Sequence, residues 1–141
     1  MDKAIEIIDL NENQAEELDE LLSKFDGNYI GFKLEGDVCV GIVKDGTLIA
    51  GASGCMTAFK IFYVSTLFVD ENHRKKGLGR KIMEDIEEKA KALGANMIRL
   101  DTFNWQGPEF YKKLGYEQVG FYESKEDNFS EYFFIKRLGV V

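Results

Sequence analysis

Residues 72–81 read Asn-His-Arg-Lys-Lys-Gly-Leu-Gly-Arg-Lys, and the way the chain enters and leaves them decides the fold. An apolar, β-prone run over residues 61–69 leads in, and a helical pattern beginning near Leu78 leads out. Between them lie Gly77 and Gly79 with the cations Arg74, Lys75, Lys76, Arg80 and Lys81. A strand-to-helix turn with glycines lets backbone N–H groups approach a ligand closely. The helix N-terminus adds about half a positive charge. The stretch therefore reads as a cradle for phosphate, against the plainer reading of a basic run at a helix start as solvated surface.

Downstream, Leu78, Ile82, Ile86, Ala90 and Leu93 recur at helical spacing. Asp85–Lys89 and Glu87–Lys91 supply i,i+4 pairs, and Gly94 is a natural C-terminal cap. Residues 96–102 follow as a strand. Strand, helix and strand make a parallel crossover, and it should set the strand ends near Val69 and Thr102 side by side, where open α/β sheets place ligands. Pro108 starts a short helix over residues 109–114, closed by Gly115, and residues 116–123 and 128–138 read as two last strands.

Upstream, residues 38–44 and 47–56 flank Asp45-Gly46, a tight hairpin signal. Gly51 and Gly54 inside the second of these strands predict a bulge or a close approach. Residues 4–8 alternate apolar and acidic side chains and read as a first strand. Asn11 or Asn13 can cap a helix running to about Phe25, with Leu18, Leu21, Leu22 and Phe25 on one face. Residues 26–37 fit either a short helix or a loop. The expected order is β-α-(α)-β-β-β-α-β-α-β-β. That is an α/β domain with a mixed α+β sheet and a central parallel βαβ crossover, in one unit over residues 1–141.

With 141 residues, 45% hydrophobic and 30% charged, the composition is that of a globular chain and not a disordered one. A net charge of −7 argues against nucleic acid as partner and is compatible with a cationic amine. No stretch reaches the roughly 18 apolar residues of a membrane span, and the acidic N-terminus lacks a signal-peptide core, so a cytoplasmic location is expected. Cys39 and Cys55 sit in apolar strand-like runs and read as free core thiols in a reducing compartment. His73 is the one histidine, which leaves no metal-ligand cluster and no nucleophile–histidine system. A Walker site would need an earlier glycine and a Ser or Thr after the lysine. A dinucleotide fingerprint fails at position 82, which is Ile.

What remains is Arg74-x-x-Gly77-x-Gly79, followed by Asn104-x-x-Gly107-x-x-x-Tyr111-x-x-x-Gly115-Tyr116. Together these resemble the GNAT superfamily of N-acetyltransferases, whose patterns are Arg/Gln-x-x-Gly-x-Gly/Ala after the fourth strand and Asn-x-x-Ala-x-x-x-Tyr-x-x-x-Gly-Phe. The resemblance covers nearly the whole chain, because the element order matches too. Gly107 replaces the usual alanine and Tyr116 the usual phenylalanine, and Pro108 could shift the backbone beside them.

The resemblance implies a GNAT-like fold and an acetyl-CoA-dependent N-acetyltransferase without a metal. Acetyl-CoA is then the donor co-substrate, and the acceptor is a primary amine of a small molecule, a cationic one included, or of a peptide or protein. Backbone N–H groups of Lys75, Lys76, Gly77, Leu78, Gly79 and Arg80 would hold the pyrophosphate, with Arg74 on the rim. The edge at Leu67, Phe68 and Val69 would pair with the pantetheine arm. A backbone N–H there would polarise the thioester carbonyl. Asn104 matches the residue that hydrogen-bonds pantetheine, and Tyr111 matches the phenol that acts as general acid toward the sulfur. Several relatives carry a glutamate base on the fourth strand. Counting back from Arg74, that position here is Tyr63, which leaves Asp70, Glu71 and Asp101 as candidates acting through water. The alternative implied by the missing carboxylate is a non-catalytic acyl-CoA-binding or regulatory module on the same fold. Pairing of the last strands into a homodimer is compatible with the pattern.

Overall fold

A computed structural model describes residues 5–139. The chain runs α1 (Glu12–Asp26), β1 (Asp37–Lys44), β2 (Thr47–Met56), β3 (Ile61–Val69), α2 (Leu78–Ala92), β4 (Met97–Phe103), α3 (Pro108–Lys113), β5 (Glu117–Ser124) and β6 (Phe129–Arg137). Single 3-10 turns stand at Glu71–His73 and Asn104–Gln106. Residues 1–33 form one unit and residues 34–141 a second, which holds the sheet. Within the first unit Asn11, not Asn13, caps α1. Its side chain accepts from the Gln14 N–H at 2.8 Å, while Gln14 Oε1 accepts from the Asn11 N–H at 3.1 Å. Two otherwise orphaned helix donors are satisfied in this reciprocal box.

The strand expected over residues 4–8 is not formed in its described part, since residues 5–10 carry no regular structure; position 4 lies outside the described residues. Alternation makes a strand only where another backbone pairs with it. Residues 30–36 likewise form no helix.

The six strands lie in the order β1-β2-β3-β4-β6-β5. Every neighbouring pair is antiparallel except β3–β4, the crossover expected from the sequence. Asp45 and Gly46 take φ values of 50° and 79°, the left-handed pair that a two-residue hairpin turn requires. The bulge expected around the strand glycines lies between β2 and β3. Ser53 faces Thr66 and Gly54 faces Val64, which leaves Ser65 as the extra residue. Its hydroxyl donates to the Ser53 carbonyl at 3.2 Å. A bulge reverses side-chain parity, so Phe62 and Val64 are buried before it and Leu67 and Val69 turn inward after it.

The bulge also bends β3. Parallel pairing with β4 covers only Ile61–Met97, Phe62–Ile98 and Tyr63–Arg99. Beyond these the strands part, so the ends near Val69 and Thr102 do not run side by side as expected but diverge. β4 keeps its pairing on the other side with β6, out to Phe103–Glu131.

Helix α2 closes one face of the sheet. Ile82, Met83, Ile86 and Ala90 are buried in one cluster with Ala50, Phe62, Val64, Ile98 and Phe134. Each fully buried large aliphatic side chain contributes about 1.5–3 kcal/mol, so this stripe fixes the helix whose N-terminus bears the glycine turn. The Asp85–Lys89 pair forms as expected, at 2.5 Å. Glu87 does not pair with Lys91. It turns into the protein, at 7% exposure, and accepts from Lys136 Nζ at 2.5 Å. Both cysteines are free, but Cys39 is exposed and Cys55 half-buried, so neither is the core thiol expected. In β1 the buried side chain is Val38, and Cys39 points to the other side of an edge strand. Among the described residues no helix is long and apolar enough to cross a membrane.

Candidate active site

The turn before α2 is built from the end of β3 forward. Asp70 accepts from the Asn72 N–H at 3.2 Å and pairs with His73 Nδ1 at 2.9 Å, which holds the 3-10 turn closed. These bonds, His73 first, hold the Asp70 carboxyl below the usual carboxylate range. Asp70 is thereby occupied as a cap, and a depressed pKa makes it a poorer base. Arg74 folds back, its Nε donating to the Val69 carbonyl at 2.9 Å. Lys75 and Gly77 then adopt left-handed φ values of 64° and 79°.

Gly77 is the N-cap of α2 and makes no side-chain capping bond. The first turn of α2 holds no acidic residue to meet the positive helix end. The N–H groups of Leu78, Gly79 and Arg80 therefore lack a capping acceptor, beside a half-positive dipole end and several cations. Arg80 reaches Glu84 only at 3.8 Å, and Lys75 and Lys76 make no ion pair among the described residues. Left to itself the arrangement is electrostatically unfavourable, and an anion would relieve it. Gly79 is needed for packing: a Cβ there would meet the Phe110 ring at 3.1 Å.

The divergence of β3 and β4 opens toward this turn, with Leu67, Phe68 and Val69 on one side. On the other side β4 runs into the Asn104–Gln106 turn and then α3. Gly107, at φ 98°, and Pro108 at the first helical position set the start of that helix. Asn104 Oδ1 accepts from the Ser130 N–H at 2.9 Å, which locks one end of the amide onto β6 and leaves its NH₂ end as the available donor. Tyr111 is 7% exposed and packed edge-on against Tyr116, with ring centroids 5.8 Å apart. Its hydroxyl makes no hydrogen bond among the described residues. Burial first, and then the Asp101 charge, push its pKa up to about 12, so the phenol keeps its proton at neutral pH.

Tyr116 stands where the motif usually has phenylalanine, and its hydroxyl is buried with no partner among the described residues. An unsatisfied buried hydroxyl costs about 1–3 kcal/mol. Tyr116→Phe should accordingly leave stability unchanged or raise it by about 1 kcal/mol in urea unfolding. A loss of that size instead would show that the hydroxyl is satisfied.

Two features of this region have no local signature in the sequence. The Ser130 partner of Asn104 lies 26 residues away in the chain. The Tyr63 hydroxyl donates to Asp101 Oδ2 at 3.0 Å, between strands whose register no motif encodes. Trp105 stacks on Phe103 with centroids 4.8 Å apart and the rings 8° from parallel, as a wall beside the opening. A groove of about 450 Å³ between β1 and α2, lined by Val40, Ile42, Glu84 and Glu88, shares only Lys81 with the 72–81 stretch and contains none of the residues expected to bind the coenzyme. Among the described residues no cluster of three or more His, Cys, Asp or Glu side chains could hold a metal ion.

Known proteins resemble this chain in sequence and in fold. The model of the Acetyltransferase (GNAT) family matches residues 4–116. Acetyltransferase Atu2258 of Agrobacterium fabrum is 30% identical over 84 residues, a match spanning 60% of this chain and 61% of that relative's length. The crystal structure of an acetyltransferase from Bacillus cereus superposes with a TM-score of 0.86 at 30% identity, over 95% of this chain and 98% of the other. An aminoglycoside 6′-N-acetyltransferase complexed with coenzyme A shares the fold, with a TM-score of 0.64 at 17% identity over 90% and 81% of the two chains.

Proposed function

The chain belongs to the Acetyltransferase (GNAT) family, and on that premise we propose that it transfers the acetyl group of acetyl-CoA to a primary amine of a small molecule or a protein. One observation carries the reading: the opening between β3 and β4 ends at an uncapped, cation-flanked helix N-terminus. The crystallisation of the aminoglycoside enzyme of the same fold with coenzyme A supports this choice of donor.

Acetyl-CoA supplies an activated thioester. In this reading the N–H groups from Lys75 to Arg80 bind the pyrophosphate, and Arg74, braced on Val69, lines the rim. The β3 edge at Leu67, Phe68 and Val69 no longer faces β4, which leaves it to pair with the pantetheine amides, the Val69 carbonyl once Arg74 releases it. An N–H there polarises the thioester carbonyl. Asn104 contributes its NH₂ end, since its oxygen is held by Ser130. A phenol whose pKa is about 12 lies some 3.5 units above a thiol near 8.5, which makes complete proton transfer to the sulfur uphill by about 5 kcal/mol. Tyr111 therefore acts chiefly by donating a hydrogen bond as charge builds on the sulfur.

Calorimetry with acetyl-CoA tests the reading, and binding in the micromolar range is expected. With an accepted amine, Tyr111→Phe should lower kcat about tenfold and leave acetyl-CoA affinity unchanged. No acetyl-CoA binding would sink the proposal. Binding without transfer to any amine would favour the non-catalytic acyl-CoA-binding module, to which the tyrosine at position 63 points.

A further inference from the structure

An amine with a pKa near about 10 is neutral in only about one molecule per thousand at neutral pH, so acetylation needs a group that removes its proton. The carboxylates near the opening are mostly committed. Asp70 is held by Asn72 and His73 and Glu131 accepts from the Tyr122 hydroxyl, while Glu71 lies exposed on the 3-10 turn that leads to the glycine cradle.

Asp101 is different. It lies two residues past Arg99, the last β4 residue that pairs with β3, and so at the point where the strands part. The Tyr63 hydroxyl reaches its Oδ2 at 3.0 Å, and Oδ1 makes no hydrogen bond among the described residues. Tyr63 is itself held, with the Arg99 guanidinium 4.4 Å from its ring centroid. The Asp101 charge is felt by phenols from three elements, Tyr63 on β3, Tyr111 on α3 and Tyr122 on β5, and raises the pKa of each. Asp101 itself is exposed between the buried Leu100 and Thr102, so it stands on the open side of the sheet with Tyr63 and Arg99. The charged groups around it are Arg99 on its own strand and Glu131 on β6, which also acts on Tyr63 and Tyr122.

Resting on the acetyl-transfer reading, we infer that the Asp101 carboxylate, positioned by Tyr63, takes the proton from the acceptor amine. The ammonium first gives a proton to Asp101, which passes it to water; the neutral nitrogen then forms its bond to the acetyl carbon, becomes cationic again, and sheds its second proton by the same route. The C–S bond breaks, and the sulfur, stabilised by the Tyr111 O–H, takes up a proton from solvent. An amide and a thiol result, with no oxidant or reductant needed. The base is thus supplied by β4, and the β3 position contributes a tyrosine that aims it.

The test compares wild type, Asp101→Asn and Tyr63→Phe in two ways. Without any ligand, NMR titration of isotope-labelled tyrosine Cζ should show the Tyr63 titration, whose hydroxyl donates to Asp101, moving to lower pH in Asp101→Asn. An unmoved titration would overturn the placement of Asp101. Thiol release from acetyl-CoA is then followed with ethanolamine, 1,4-diaminobutane and hydroxylamine, the last largely neutral at pH 7. Near neutral pH, Asp101→Asn should lower kcat about thirtyfold for the two basic amines and under about threefold for hydroxylamine, with the deficit narrowing as pH rises. Tyr63→Phe should show the same trend at about fivefold. Acetyl-CoA affinity by calorimetry should be unchanged in both variants. A rise in KM alone, or a deficit equal for all three amines at every pH, would make Asp101 a mere anchor and overturn the inference. Absence of acetyl-CoA binding by wild type, or binding with no turnover of any of the three amines, would instead overturn the acetyl-transfer reading and this proposal with it.

Discussion

Replacing Gly77 by glutamate is expected to weaken acetyl-CoA binding about a hundredfold or more while the protein stays folded. Gly77 combines a φ of 79° with open space, because a Cβ built there meets nothing within 4 Å. The substitution therefore causes no clash and adds only the strain of a side chain in the left-handed region, about 1–2 kcal/mol. Its carboxylate enters the space over three uncapped N–H groups. A negative charge about 5 Å from a phosphate, at an effective dielectric of about 20, costs about 3 kcal/mol, and screening at this exposed turn reduces that somewhat. Gly77→Ala separates the two causes, since it carries the strain without the charge. It should lose about threefold to tenfold in affinity, with a Tm lower by about 4 °C. The gap between the two variants should shrink as salt rises, since it is Coulombic. Calorimetry on both variants at two salt concentrations makes the comparison. Equal affinity of Gly77→Glu and wild type would place the pyrophosphate elsewhere.

The legibility of that turn follows from the range of the interactions that make it. Gly77, the cations around it and the α2 stripe lie within one stretch, so the helix start, its side-chain periodicity and its glycine cap appear in order. The Asp45-Gly46 hairpin and the Pro108 start are local in the same sense. The Asn104 and Tyr111 positions form a spaced pattern in the sequence, and in the structure Asn104 is tied to Ser130 while Tyr111 is buried against Tyr116 and Phe134. Longer-range features were not legible. The alternation over residues 4–8 looks like a strand because period two is a local property, whereas pairing is not. Cys39 sits in a hydrophobic run whose inward parity belongs to its neighbours. Above all, the sequence predicts a parallel crossover but not how far the pairing extends. That depends on Ser65 having no partner across the sheet, and hence on Gly54.

Gly54→Ala should therefore be the most damaging single-methyl change in the sheet, costing about 3 kcal/mol of stability and lowering acetyl-CoA affinity as well. A Cβ on Gly54 would lie 2.4 Å from the Tyr63 carbonyl oxygen and 2.5 Å from the Phe62 ring, which is fully buried. Neither neighbour can yield cheaply. The carbonyl belongs to β3 backbone, and the ring is enclosed by the cluster that also seats α2. The strain has to be relieved by moving β2 and β3 apart at the bulge, the place where β3 bends away from β4. Stability and donor binding are thus coupled through one glycine. Gly46→Ala is the proper comparison: its φ of 79° imposes a left-handed penalty but nothing lies within 4 Å of a Cβ there, so about 1 kcal/mol is expected and no change in acetyl-CoA binding. Urea unfolding and calorimetry on the two variants separate the possibilities. If Gly54→Ala costs no more than Gly46→Ala, the close packing at the bulge does not constrain β3. If it costs stability but leaves affinity intact, the divergence of β3 from β4 is fixed by the crossover helix instead.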